Sequence, residues 1–125
     1  MENKKILIVE DDDFLLQMYA TKLELEGFKV LEASNGIQGL KMAQREKPDL
    51  MLLDLNLPEL SGFEVLAQLK REDDTKNIRV LVLTNYSQKD HIDRCLKLGA
   101  DDYLIKAHFV PSEVIEKIKN ILSEK

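Results

Sequence analysis

The chain has 125 residues, 44% hydrophobic and 33% charged, the size and composition of one globular domain with a single core. Its 23 acidic against 18 basic residues give a formal net charge of -5 with no basic run, so nucleic acid finds no electrostatic footprint here. The longest apolar runs, such as Ile6 to Val9 and Leu50 to Leu53, fall far short of the roughly 18 residues a membrane span needs. Met1 to Lys5 is not followed by a signal-peptide core, which leaves a cytoplasmic protein with no membrane partner as the expectation.

Lys5 to Glu10 is a short β-rich run ending in acids, and Asp13 to Glu26 then has helical spacing through Leu15, Tyr19 and Leu23, with Gly27 as a stop. Lys29 to Ala33 is a second strand. Ser34-Asn35-Gly36 leads into a helix carrying Ile37, Leu40 and Ala43 until Pro48; the Asn-Gly pair can also mark a hairpin, but the spacing after it is helical. Leu50 to Leu53 is a continuous apolar run, the mark of a parallel strand covered on both faces, and Asp54 stands where it ends. Pro58 and Ser61-Gly62 break the chain before a helix from Gly62 to about Arg71, with Phe63, Leu66 and Leu69 inward. Glu72 to Asn77 reads as a solvated loop. Arg79 to Thr84 is a fourth strand, Gln88 to Leu98 a helix stopped by Gly99, and Tyr103 to Lys106 a fifth strand. Pro111 to Ser123 closes the chain with Val114, Ile115, Ile118, Ile121 and Leu122 on one face.

Five strands alternating with five helices predict an α/β domain, a parallel sheet with right-handed crossovers and helices on both faces. Parallel strands all end on one edge, where ligands bind in such sheets. Here that edge collects Glu10 and Asp11 after the first strand, Asp54 after the third, Thr84 after the fourth and Lys106 after the fifth. Grouped carboxylates repel one another unless a cation neutralises them, and Mg2+ suits a set of few carboxylates completed by water and phosphate oxygens. An Asp beside Mg2+, with an ammonium and a hydroxyl to meet charge on phosphoryl oxygens, has the parts for attack on phosphorus, giving an aspartyl phosphate.

The acidic pair after the first strand, the D-x-x-x-P-x-x-S-G run from Asp54 to Gly62, Thr84, and the Tyr103 and Lys106 pair resemble the receiver domain of two-component response regulators, over essentially the whole chain. The resemblance implies a single receiver domain over residues 1–125 with a flavodoxin-like, doubly wound five-stranded sheet of order 2-1-3-4-5. It implies that Asp54 accepts a phosphoryl group from a histidine kinase or phosphotransfer protein. Glu10, Asp11, Asp54 and the backbone carbonyl of Asn56 would hold Mg2+, Asp11 directly and Glu10 through water. Thr84 and Lys106 would meet the phosphoryl oxygens, and Lys106 would pair with Asp54 when phosphate is absent. Thr84 and Tyr103 would act as the switch that remodels the surface of the fourth helix, fifth strand and fifth helix for a downstream protein target or effector domain.

Two positions depart from the family pattern. Ala107 follows Lys106 where Pro is usual, so a cis bond there would cost about 2.5–4 kcal/mol; either that strain is tolerated or the bond is trans. Asn85 follows Thr84 where a small residue is common, and is expected to change the rate of phosphorylation or dephosphorylation. Met1 and the polar tail Ser123-Glu124-Lys125 lean toward a stand-alone receiver rather than one cut from a longer regulator.

Taken singly, each of these residues has a plainer role. Asp12 or Asp13, and Asp13 in particular, would cap the first helix. Glu10 and Asp11 would be solvated loop acids, Thr84 a strand end, Lys106 a surface lysine, and Tyr103 a half-buried packing residue; their joint occurrence at strand ends carries the functional reading. His91 and His108 lack partners at metal spacing and are assigned nothing. Ser61 is turn chemistry and not a nucleophile elbow. Cys95, the single cysteine, excludes an internal disulfide and a thiolate metal site and reads as a small buried residue. Lys89, Asp90, Asp93, Arg94 and Lys97 make a wet helix face. Two alternatives remain: a degenerate receiver that binds partners without phosphorylation, and an aspartyl-phosphate phosphatase, in which Asn56 would stand where such enzymes carry a second Asp. A phosphoacceptor rather than a turnover enzyme is the expectation, with at most self-catalysed phosphotransfer and autodephosphorylation.

Overall fold

In a computed structural model describing residues 3–85, 89–106 and 110–124, strands and helices alternate as expected: β1 (Lys5–Val9), α1 (Asp13–Leu25), β2 (Lys29–Ala33), α2 (Gly36–Glu46), β3 (Leu50–Asp54), α3 (Gly62–Arg71), β4 (Arg79–Thr84), α4 (Lys89–Leu98), β5 (Asp102–Ile105) and α5 (Pro111–Ser123). All pairings are parallel, and the sheet order is β2-β1-β3-β4-β5. The apolar runs of β1, β3 and β4 form the middle of the sheet, where both faces are covered. Leu7, Val9, Met51, Leu53, Val80 and Val82 point to the side of α2, α3 and α4. Ile6, Ile8, Leu50, Leu52, Leu81 and Leu83 point to the side of α1 and α5. The register aligns the strand ends, Val9 with Leu53, Asp54 with Leu83 and Thr84 with Ile105, so the functional edge is level.

The structure corrects several local expectations. On α1 the buried stripe is Leu16, Tyr19, Ala20 and Leu23, while Leu15 is half-buried at the functional edge. On α2, Ile37 is 41% exposed. The contact stripe there runs through Gly36, Gly39, Leu40 and Ala43, because a Cβ on Gly39 would lie 2.8 Å from the Val9 methyls; this close approach of helix to sheet turns Ile37 outward. The cap of α1 is Asp12, whose carboxylate accepts the Leu15 N–H at 3.1 Å, whereas Asp13 is the first helical residue and favours the dipole only. The segment from Glu72 to Asn77 is more than a solvated loop: Thr75 is fully buried, its hydroxyl donating to Leu69 O at 2.8 Å. Lys70 Nζ donates to Lys76 O at 3.0 Å and Ile78 O at 2.7 Å. Polar side chains here satisfy backbone carbonyls that the turn leaves without ladder partners. The start of the fourth helix at Gln88, the geometry of the Lys106–Ala107 bond and the placement of His108 lie outside the described residues.

Candidate phosphoryl and cation site

β1 ends at Val9, and Glu10 follows it as a buried residue whose N–H donates to Ala33 O at 3.0 Å, extending the ladder to β2 by one bond. β3 runs one residue further than its apolar core and carries Asp54 at its last position, 5% exposed. Because β1 and β3 are neighbours, Glu10, Asp11 and Asp54 converge, each offering a carboxylate oxygen within 4.8 Å of the others. Lys106, just past β5, reaches back across β4. Its Nζ donates to Glu10 Oε1 at 2.7 Å and to Asp54 Oδ2 at 3.1 Å.

The remaining bonds fix which oxygens stay available. Glu10 Oε2 accepts the Asp12 N–H at 3.1 Å, so both of its oxygens are engaged. Asp54 Oδ1 accepts the Asn56 N–H at 3.2 Å, a local turn that holds the carboxylate upright at the strand end. Asp11 is exposed at the mouth. Thr84 closes β4 at 2% exposure. These groups border an open cleft of about 430 Å3 whose wall also includes Leu15, Asn56 and Asn85.

The electrostatics follow from this crowding. Partial burial, then the hydrogen bond and like charge of Glu10, raise the Asp11 carboxyl above its ordinary range, against the pull of Lys106. For Lys106, burial pushes the ammonium down, but the Glu10 hydrogen bond and the charges of Asp54 and Glu10 outweigh it, so its pKa is raised. The donor set suits a hard divalent cation: oxygen ligands only, an exposed Asp11 able to bind directly, and a crowded anionic cluster that one ammonium leaves under-neutralised. Glu10 and Asp54 each have both oxygens engaged by donors, which leaves Asp11 as the exposed carboxylate of the set.

The loop after Asp54 is tightly built. Ser61 caps α3 through Glu64 N–H at 3.3 Å, so its turn chemistry is that of a helix cap. Gly62 donates its N–H to Leu55 O at 3.0 Å, and a Cβ there would fall 2.3 Å from Asp54 O and 2.6 Å from Leu55 Cα. Phe63, next along, carries the Arg94 guanidinium 4.2 Å above its ring centroid and lies 5.9 Å from the His91 ring. Arg94 is therefore tied to α3 on what otherwise is a wet face, and His91 is partly packed. Tyr103, half-buried, rests against the core on the α2, α3 and α4 side. Cys95 is buried, and burial pushes its thiol up to about 11.

One residue beside the site has no motif to announce it. Tyr19, on the buried stripe of α1, lines a small crevice together with Glu10 and Asp54. Its signal in the sequence was a polar-tipped side chain at an inward helical position.

A domain with this sheet order, this acidic cleft and this bridging lysine is of one class. The chain matches the response regulator receiver domain family over residues 6–119 and belongs to that family. It is 40% identical over 122 residues, 98% of its length, to the phosphate regulon transcriptional regulatory protein PhoB of Pseudomonas aeruginosa. It spans 53% of that protein and 49% of the alkaline phosphatase synthesis transcriptional regulatory protein PhoP of Bacillus subtilis, to which it is 42% identical, so it covers about half the length of these relatives. The polar-differentiation response regulator DivK of Brucella anthropi, 34% identical, is matched over 97% of this chain and 98% of its own. Among solved structures, the CheY-like receiver domain protein of Methanospirillum hungatei superposes with a TM-score of 0.89 at 32% identity, covering 97% of this chain and 94% of that one. Among the described residues no helix is long and apolar enough to cross a membrane.

Proposed function

We propose that residues 1–125 form one receiver domain that works as a phosphorylation-controlled switch, with Asp54 as phosphoacceptor. The observation that carries this reading is the convergence of Glu10, Asp11 and Asp54 within 4.8 Å, bridged by Lys106 at 2.7 and 3.1 Å, on the edge where the strands end. An Asp54 carboxylate oxygen attacks the phosphorus of a phosphohistidine on a kinase or phosphotransfer protein. The new O–P bond forms as the N–P bond breaks, and the leaving imidazole keeps the electron pair and takes up a proton. Asp11, Asp54 and the Asn56 carbonyl would hold Mg2+, with Glu10 behind a water, and a bound ion would offset the charge of the carboxylates and of the incoming phosphoryl oxygens. Lys106 turns from Asp54 to a phosphoryl oxygen, and the Thr84 hydroxyl donates to another.

The output is protein binding in the cytoplasm. Drawing Thr84 toward the phosphoryl group frees space for Tyr103 to turn inward, which remodels the surface of α4, β5 and α5 for a target protein or effector domain. The domain is thus a substrate of phosphotransfer and assists it, without turning over small phosphate esters. Incubation with acetyl phosphate and Mg2+, read by intact mass spectrometry, tests the assignment: wild type gains one phosphoryl group, and Asp54→Asn or chelated protein gains none. Uptake that survives Asp54→Asn refutes Asp54 as acceptor, and no uptake with or without Mg2+ leaves a phosphorylation-independent binding module.

A further inference from the structure

Asp12 lies between the acidic cluster and α1 and is fastened on both sides. Toward the helix, its carboxylate Oδ1 accepts the Leu15 N–H at 3.1 Å and its carbonyl accepts the Leu16 N–H at 2.9 Å. Toward the site, its own N–H donates to Glu10 Oε2 at 3.1 Å. It stands at the N-cap with extended backbone, φ -83° and ψ 111°, and so turns the chain from the acidic loop into the helix. Glu10 is buried, its N–H donating to Ala33 O at 3.0 Å and its Oε1 accepting from Lys106 at 2.7 Å. The Asp12 N–H is what the start of α1 adds to the hold on this carboxylate. Asp12 itself is exposed and borders the cleft, whereas the three carboxylates that converge within 4.8 Å are Glu10, Asp11 and Asp54.

We propose that Asp12 is a positioning residue for the cation site: by capping α1 through its side chain it keeps its own N–H on Glu10, and the helix start thereby fixes the Glu10 carboxylate for the ion. The cap and the Glu10 bond belong to one residue, so the loss of one loosens the other. Without the side-chain acceptor the Leu15 N–H has no partner in the first turn, and that turn frays. The backbone at position 12 then moves, and with it the donor to Glu10 Oε2. A buried carboxylate whose donor is loosened gives up the orientation that the bond imposed. The charge of Asp12 adds only a general attraction for cations, screened by water at this exposed position. What the site uses is its ability to accept the Leu15 N–H. The inference rests on the reading of the cleft as a Mg2+ and phosphoacceptor site and adds to it the residue that ties that site to α1.

Asp12→Ser and Asp12→Ala remove the same charge at an exposed position, but only serine can cap a helix. Wild type and both variants are compared by calorimetric titration with Mg2+, well below their melting temperatures, so that a fall in stability alone leaves the affinity as it was. Asp12→Ala is expected to bind Mg2+ about fivefold more weakly than Asp12→Ser, the fold-change that corresponds to one helix cap. In the metal-free proteins, the carboxyl carbon signal of a labelled Glu10 is expected to keep its wild-type position in Asp12→Ser and to shift in Asp12→Ala. Equal Mg2+ affinity in the two variants overturns the inference alone, whether or not the alanine variant melts earlier, and so does a Glu10 signal that is the same in both. A wild type that binds no Mg2+ removes the cation site and this inference together.

Discussion

Replacing Lys106 by Met separates the two opposing effects that meet at the site. The ammonium bridges two carboxylates, Glu10 and Asp54, at 2.7 and 3.1 Å, and these are only 2% and 5% exposed. Its loss leaves them facing each other, with the Asp12 and Asn56 N–H groups still donating to them. Removing one partner of a buried ion pair costs about 3–5 kcal/mol, and since this cleft opens to water at Asp11 the lower end, about 3 kcal/mol, is expected. For a domain of this size that corresponds to a fall of about 10–15 °C in melting temperature. The assay is urea unfolding of wild type and Lys106→Met near neutral pH, first in chelator and then in Mg2+. A cation replaces part of the missing charge, so the gap should narrow when Mg2+ is added. The pH dependence has a definite sign. With its pKa raised in the folded state, Lys106 contributes stability that is fully present below the ordinary lysine value of 10.5 and is lost only as pH rises through the raised value. The gap should thus stay level through mildly alkaline pH. A variant as stable as wild type in chelator would refute the claim that the carboxylates depend on this ammonium.

Asp11→Asn should stabilise the ion-free protein by about 1 kcal/mol near neutral pH, the scale of one repulsion at this range in a well-hydrated cleft, while abolishing the Mg2+ response. Because the Asp11 pKa is raised, the stability it contributes is present below its ordinary 3.8 and lost as pH rises through the raised value, so the advantage of the variant should vanish toward about pH 3–4 in urea unfolding curves. Gly62→Ala places a methyl 2.3 Å from the Asp54 carbonyl oxygen and should cost about 2–3 kcal/mol while slowing phosphoryl uptake, measured by unfolding and by mass. Cys95, buried with its thiol at about 11, should alkylate about 100-fold more slowly than a free cysteine at pH 8, and reactivity should appear only as the protein unfolds.

The strands were legible because β1, β3 and β4 are covered on both faces and have to be apolar throughout, and the helices because their apolar spacing changes period. The convergence of Glu10, Asp11, Asp54 and Lys106 was legible for a related reason: a parallel sheet brings its strand ends to one edge, so position along the chain becomes position in the cleft. Finer features depended on contacts that spacing does not encode. Leu15 and Leu16 are equally apolar, and only the packing of α1 on the sheet chooses between them. The run Asp11-Asp12-Asp13 offers several caps, and the choice of Asp12 follows from where its N–H and carboxylate are used together, one for Glu10 and one for Leu15. Thr75 looks like a loop residue until the Leu69 carbonyl is seen to need its hydroxyl.

The absence of slack at Gly62 has a mechanical consequence. With no clearance between that residue and the Asp54 carbonyl, the strand end and the first turn of α3 behave as one stiff part, because close-packed atoms pass on a displacement that they have no void to absorb. Phe63 is the next residue of that part, and Arg94 of α4 is seated on its ring. A displacement of the strand end at Asp54 should therefore carry the Phe63 ring with it, and with the ring the contact that the Arg94 side chain makes.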